Sequence, residues 1–461
     1  MKKYDAIIIG SGQAGAPLAK KLALAGLKTV IIEKRFYGGT CVNDGCTPTK
    51  TWVASAKAAY MAGKSADLGV PVKRFSVNMP KIKKRKEDIV MQSRIGGQHA
   101  AEKTKGLDVV FGEATFVDDK TVSIKLKNGK KSNVQADLIF LNTGAKPFIP
   151  EIEGLNEIKY LDSTSILELD YVPEHLLVIG GNYIGLEFGQ MFRRFGSKVT
   201  IVEKSSHIVS KEDEDVSVEM QNILEAEQIK ILTNAQAIKF KRKTGGKITA
   251  TVSVNGDEQK IKCTHVLVAV GRTPQTKDLG LEKAGVAMDD KGHIVVNNKL
   301  ETNVKGIYAL GDVKGGPAFT HISYNDYTIV YRNLIEKQNL STKDRPVPYC
   351  MFTDPQLGRV GIDENEAKKR GIEYKVAKLP MTHVARAIET GDTRGFMKAI
   401  VDPKSKKILG ATVLGPEGGE IMTVLQMAME GGITYEQIRY FIFAHPLYAE
   451  SLNNLFLVLE D

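Results

Sequence analysis

The chain has 461 residues, 42% of them hydrophobic and 26% charged, with a net charge of +10. That balance is the one of an ordinary soluble protein and excludes a disordered tail-like chain. No apolar run reaches the roughly 20 residues of a membrane-spanning helix, and four cysteines are too few for a disulfide scaffold, which leaves redox or metal chemistry for them.

The opening Met-Lys-Lys-Tyr-Asp runs straight into an apolar strand over residues 4–9. It leaves no room for a signal or transit peptide, so a cytoplasmic protein is expected. The glycine loop Gly10-Ser11-Gly12-Gln13-Ala14-Gly15 comes next, then a helix to about Ala25, then a strand over Thr29–Ile32 that ends at Glu33. This is a βαβ unit with a full G-x-G-x-x-G and an acidic residue 23 positions after its first glycine. Glycines let the backbone approach a pyrophosphate, and the helix N-terminus offers N–H donors and positive dipole. Glu33 can accept the hydroxyls of an adenosine ribose.

Directly behind lies Gly38-Gly39-Thr40-Cys41-Val42-Asn43-Asp44-Gly45-Cys46-Thr47-Pro48-Thr49-Lys50. Five residues of regular helix rise about 7.5 Å, more than the ~7 Å between Cα atoms that a disulfide spans. A Cys41–Cys46 bridge therefore needs a distorted backbone, which Gly45 permits. Strained, accessible disulfides are the easily reduced, catalytic ones. Further on, the basic run at 81–86 reads as a solvated helix face. Nucleic-acid binding would need a recognisable module, and none is present. The positive balance can attract anionic substrates or nicotinamide phosphates.

The strand Leu138–Leu141 leads into Asn142-Thr143-Gly144-Ala145-Lys146-Pro147, a second segment of the first nucleotide site. The βαβ pattern then returns: a strand over Leu176–Ile179, the loop Gly180-Gly181-Asn182-Tyr183-Ile184-Gly185, a helix to about Phe195, and a strand Lys198–Val202 ending in Glu203. Asn182 replaces the middle glycine, which reads as a modified rather than a dead site, since Asn tolerates unusual backbone angles. Cys263, before the strand-like Val266–Val270, reads as a packed core thiol, and Cys350 is isolated. No metal site is expected, because no second cysteine pair or histidine cluster completes four ligands. Ile307–Leu310 is a buried strand ending in Gly311-Asp312, where an Asp can accept hydrogen bonds from a polyol such as the ribityl chain of FAD. Residues after about 272 thus return to the first domain, and the second is inserted. From about Arg345 the texture becomes α+β, with a helix near 418–430 and the closing Phe443-Ala444-His445-Pro446-Leu447-Tyr448-Ala449-Glu450.

Taken together, GSGQAG, GGTCVNDGC-TPTK, NTGAKP, GGNYIGLE, VGRTP, IYALGD and HPLYAE resemble the flavoprotein pyridine nucleotide-disulfide oxidoreductases of class I, over essentially the whole chain. The texture is that of the mercuric reductase and dihydrolipoamide dehydrogenase branch. The resemblance implies an α/β fold with two Rossmann-like dinucleotide-binding domains, the NAD(P) domain (148–271) inserted into the FAD domain (1–147 and 272–340), and a C-terminal α+β dimerisation domain (341–461). It implies FAD, a reduced nicotinamide, and a homodimer acting on a small-molecule oxidant, with no nucleic-acid or membrane partner.

Roles follow by motif position. The resemblance makes Cys46 the thiolate against the flavin, Cys41 the thiol that attacks substrate, and Lys50 a neighbour of flavin N5 held by Glu187. Tyr183 covers the flavin until nicotinamide displaces it. His445 and Glu450 form an acid–base dyad that reaches the dithiol of the partner subunit. FAD contacts are implied for Gly10, Gly12, Gly15, Glu33, Gly39, Thr40, Thr143, Gly144 and Asp312. Nicotinamide dinucleotide contacts are implied for Gly180, Gly181, Gly185, Glu203 and Gly271. Glu203 favours NADH over NADPH, because a carboxylate repels a 2′-phosphate. His207, His293 and His321 carry no catalytic role.

Three departures stand out. Asp44 occupies a position that is usually apolar in the family and would disfavour thiolates. Leu447 replaces a threonine. The metal-handling cysteines of mercuric reductases have no counterpart, although Val384-Ala385-Arg386-Ala387 and Asp392-Thr393-Arg394-Gly395-Phe396 resemble that branch. The expected activity is electron transfer from NAD(P)H through FAD and Cys41–Cys46 to a disulfide, a metal ion or another small oxidant. The alternatives are a diaphorase or quinone reductase with the dithiol as sensor, or the dihydrolipoamide dehydrogenase component of a multienzyme complex.

Overall fold

The computed structural model describes residues 1–460. Its backbone divides into two compact units. One is built from Met1–Thr51, Lys83–Phe148 and Gly271–Arg345; the other from Trp52–Ile82, Ile149–Val270 and Pro346–Asp461.

The first unit is organised by an eight-stranded sheet. Its parallel centre runs Leu107–Phe116, Thr29–Glu33, Ala6–Ile9, Leu138–Leu141, Ile307–Ala309, and the hairpin Thr121–Leu126 and Lys131–Gln135 extends it antiparallel beside Leu107–Phe116. Buried parallel strands need apolar side chains on both faces, and these have them. Ile7, Ile9, Val30, Ile32, Ile139 and Leu141 pack on one side. Ala6, Ile8, Ile31 and Phe140 pack on the other, against Leu18 and Leu22. Those two leucines lie four apart on the helix Gly15–Leu24, hence on one face.

The second unit repeats the scheme. A four-stranded parallel sheet has the order Lys230–Leu232, Lys198–Val202, His175–Ile179, His265–Val268, with the helix Tyr183–Phe195 crossing over. A three-stranded antiparallel sheet follows, Ala235–Arg242, Ile248–Val254 and Asp257–Cys263. The unit also holds a five-stranded antiparallel sheet, ordered Tyr349–Met351, Gln356–Gly361, Ile408–Gly415, Phe396–Val401, Lys375–Pro380, and covered by the helix Gly418–Glu430. Phe192, Phe195 and Trp52 pack edge to face in its core. Cys263 is buried in a separate cluster with Phe240, Ile248 and Val266, and burial pushes its pKa up to about 12. Among the described residues, no helix is long and apolar enough to cross a membrane.

The basic run at 81–86 is not a uniformly solvated face. Lys84 pairs with Asp88 one turn on, but Lys86 is buried and Arg85 donates to the Thr51 carbonyl.

Candidate active site

A helical turn, Gly39–Asn43, carries Cys41, and a new helix, Cys46–Lys64, begins at Cys46. The helix is broken between the two cysteines, as a bridge requires. The break is made by Asp44, at φ −135° and ψ 5°. Gly45 serves differently from the expectation: it supplies room, since a Cβ there would stand 3.0 Å from the Thr40 carbonyl oxygen. The Cys46 thiol alongside, then burial, hold Cys41 protonated far above the usual thiol range. The Cys46 Sγ lies 3.1 Å from the hydroxyl of Thr320, the first residue of the helix Thr320–Leu334.

Asp44 does not face the sulfurs as a bare charge. Its carboxylate takes a hydrogen bond from the Arg35 guanidinium. The Arg35 charge opposes the repulsion expected from this departure.

In both glycine loops, close packing leaves no room for side chains. A Cβ on Gly10 (φ +100°) would lie 2.3 Å from the Asn142 carbonyl oxygen, and one on Gly180 (φ +112°) 2.5 Å from that of Ala269. The third glycines, Gly15 and Gly185, meet the first ones: added Cβ atoms would stand 2.1 Å from the Gly10 oxygen and 2.0 Å from the Gly180 oxygen. Gly39 packs against Gly12, with an added Cβ 2.6 Å from the Gly12 Cα. The strand-end carboxylates bind these loops. Glu33 accepts from the Ser11 N–H (3.0 Å), the Ser11 hydroxyl (2.7 Å) and the Arg35 N–H (2.8 Å). Glu203 accepts from the N–H groups of Gly181 (2.7 Å) and Ser205 (2.8 Å). Glu33 Oε1 and both Glu203 oxygens accept one of these bonds each, which leaves each a second lone pair for a ribose hydroxyl, whereas Glu33 Oε2 accepts two. Asn182 adopts extended backbone, not an unusual one, and caps the helix Tyr183–Phe195 by accepting from the Tyr183 N–H at 2.9 Å. The substitution is a capping choice.

Asn142 closes the first site, and motif reading had not singled it out. Its side chain accepts from the Gly15 N–H (2.9 Å) and donates to the Leu310 carbonyl (2.8 Å). It thereby fixes the loop against the strand end that carries Asp312. Burial raises the Asp312 carboxyl pKa, opposed by Arg272 at 3.8 Å. Thr143 beside it holds a buried hydroxyl with no hydrogen-bond partner, and Gly144 follows at φ +69°. Gly271 accepts from the Phe148 N–H at 2.9 Å.

In the second unit, His445 Nδ1 lies 2.9 Å from Glu450 Oε1, and the Leu447 N–H donates to Glu450 Oε2 at 3.0 Å. At position 447 it is the backbone, not the side chain, that makes this contact with the dyad. Glu450 raises the His445 pKa and is itself lowered by it. Glu187 accepts from the Phe352 N–H at 2.8 Å. Lys50 belongs to the first unit and Tyr183 to the second.

The family model described as pyridine nucleotide-disulphide oxidoreductase matches residues 4–326, and the corresponding dimerisation domain matches residues 347–456. The chain belongs to this family. It is 37% identical over the full length of both chains to the probable pyridine nucleotide-disulfide oxidoreductase RclA of Escherichia coli. It is 35% identical to a mercuric reductase of Staphylococcus aureus, over 94% of this chain and 78% of that one, and 34% identical to the dihydrolipoyl dehydrogenase of Geobacillus stearothermophilus, over 97% and 94%. The solved Cu(II) complex of the HOCl-induced flavoprotein disulfide reductase RclA superposes with a TM-score of 0.91 at 36% identity, covering both chains completely. The protein is an oxidoreductase of α/β fold, driven by NAD(P)H and dependent on a flavin, that reduces a disulfide or another oxidant. The crowded glycine loops and the unpartnered Thr143 hydroxyl fit dinucleotide cofactors of the family.

Proposed function

We propose that the chain is an NADH-dependent reductase whose electrons leave through Cys41 and Cys46. The observation that carries this reading is the interrupted helix, which sets the two thiols side by side, one held protonated by the other. FAD, when bound, would accept hydride from the nicotinamide and supply two electrons. The disulfide then takes up two electrons and two protons to become the dithiol. Cys46, steadied by Thr320, is the resident thiolate. Cys41 needs a base to lose its proton, and the His445–Glu450 dyad of the partner subunit would supply it across a homodimer formed through residues 347–456. With a disulfide substrate, Cys41 attacks one sulfur and releases one thiol. Cys46 then displaces the second thiol and restores the bridge. With cupric ion, two ions gain one electron each while the dithiol closes and releases two protons.

Lys50 and Glu187 keep the roles that the family resemblance implies. So does the division into FAD (1–147, 272–340), NAD (148–271) and interface (341–461) portions in a cytoplasmic protein. The first unit's three separate segments support an inserted NAD portion. Glu203 supports NADH, because a carboxylate at the ribose disfavours a 2′-phosphate. A panel of cupric and mercuric ions, lipoamide, glutathione disulfide and quinones, each assayed with NADH and NADPH, tests the reading. It predicts reduction of a disulfide or metal ion that is lost in Cys41→Ser and faster with NADH. Turnover confined to quinones and unaffected by Cys41→Ser, or a clear NADPH advantage, contradicts it.

A further inference from the structure

Two consecutive residues between the cysteines are held by two different arginines. Asp44 is held by Arg35, which follows the strand Thr29–Glu33. Asn43 is held by Arg94, from the middle of the helix Met79–Glu102, whose Nε donates to Asn43 Oδ1 at 2.7 Å. The Asn43 amide is buried and fully committed: its Nδ2 donates to the carbonyls of Tyr37 (3.0 Å) and Gly39 (2.8 Å). Arg94 is itself oriented from two sides. Its guanidinium lies 3.8 Å from the centroid of the Phe36 ring, with Arg35 at 5.6 Å from the same ring, and it donates to Met91 Sδ at 3.5 Å.

Two sulfurs form a bridge in proportion to how well the chain holds them in reach. The turn Gly39–Asn43 has only five residues, too few to be stable alone, so its shape depends on outside contacts. Asn43 ends that turn and stands two residues from Cys41. A planar guanidinium can stack on a ring and aim one N–H at an amide oxygen at once, which an ammonium cannot.

We propose that Arg94 is a positioning residue for the redox pair: through Asn43 it holds the turn in the shape that brings Cys41 and Cys46 into bridging distance, and so sets the stability of their disulfide. This rests on the reading of Cys41–Cys46 as the redox couple. Oxidised dithiothreitol takes two electrons and two protons from the dithiol as the bridge forms, so its equilibrium with the protein measures that stability.

The experiment equilibrates the flavin-loaded protein with dithiothreitol buffers, traps free thiols by alkylation and counts them by mass spectrometry. Arg94→Met is expected to lower the disulfide-forming equilibrium constant about tenfold, a potential roughly 30 mV less negative. Arg94→Lys, which keeps the charge but not the plane, should do the same. Asn43→Ala should also lower it, and the Arg94→Met/Asn43→Ala double variant should fall no further than Asn43→Ala alone. An unchanged constant in Arg94→Met, full rescue by Arg94→Lys, or additive losses in the double variant each overturn the proposal. If Arg94→Met fails to fold, the Lys and Asn43 variants decide in the same way. A wild-type protein whose Cys41 and Cys46 show no buffer-dependent alkylation would instead overturn the redox-pair reading itself.

Discussion

Thr320 touches the Cys46 sulfur and Glu450 the His445 ring. A hydroxyl donating to a thiolate is worth about 1.5–3 kcal/mol, so Thr320→Val should raise the Cys46 pKa by about one to two units. A pH titration of the long-wavelength absorption of the two-electron-reduced protein measures this; an unmoved apparent pKa means that Thr320 does not serve the thiolate. Glu450 raises the His445 pKa, so the imidazolium persists to higher pH than an isolated histidine. Glu450→Gln should shift the histidine limb of the rate–pH profile to lower pH, and a shift upward or none at all contradicts the pairing. The cysteine pair stood out by its spacing behind the first glycine loop, and the family resemblance named His445 and Glu450, whose side chains meet at 2.9 Å. Thr320 was not legible, because it stands 274 positions from Cys46 and only the fold brings them together. The Arg35–Asp44 pair was hidden for the opposite reason: its members are near in sequence, but no periodicity announces that the two side chains meet.

At the scale of elements, the two βαβ units were readable because strand, glycine loop, helix and acidic residue recur in register. The strand-end glutamates show what pattern reading omits. Each already accepts an N–H of its own glycine loop, and so shapes that loop. A second element-scale feature had no sequence signal. Glu212 is buried beside Arg359, with Asp363 also on that arginine, and burial raises its pKa to about 7. The folded chain therefore holds this proton more tightly than the unfolded chain, whose ordinary value is about 4.5. The stability from this group is present in acid and lost as pH rises from about 4.5 to 7. Glu212→Gln should remove that loss, a relative gain on the order of 2–3 kcal/mol at pH 7.5. Denaturant midpoints of both proteins at pH 4.5 and 7.5 measure it, and a variant whose deficit grows with pH refutes the assignment.

At the scale of the whole molecule, the family's dimerisation domain occupies residues 347–456, and the side chain of His445 is 70% exposed in the single chain. The dyad is built, and its imidazole faces outward. Mixing Cys41→Ala with His445→Ala subunits should restore about one working site per hybrid dimer, and no recovery would argue for a site complete within one chain. That the first unit draws on three separate stretches of chain was expected from three motifs spread across the sequence. The grouping of Trp52–Ile82 with the second unit was not, since it depends on edge-to-face packing of Trp52 with Phe192 and Phe195.

The central claim is that electrons pass through Cys41 and Cys46. Anaerobic addition of one equivalent of NADH to the oxidised, flavin-loaded protein, followed by alkylation and thiol counting, tests it most directly. The account predicts two new thiols, at Cys41 and Cys46, while the flavin remains in its oxidised colour range with long-wavelength absorption. A bleached flavin with no new thiols would contradict it.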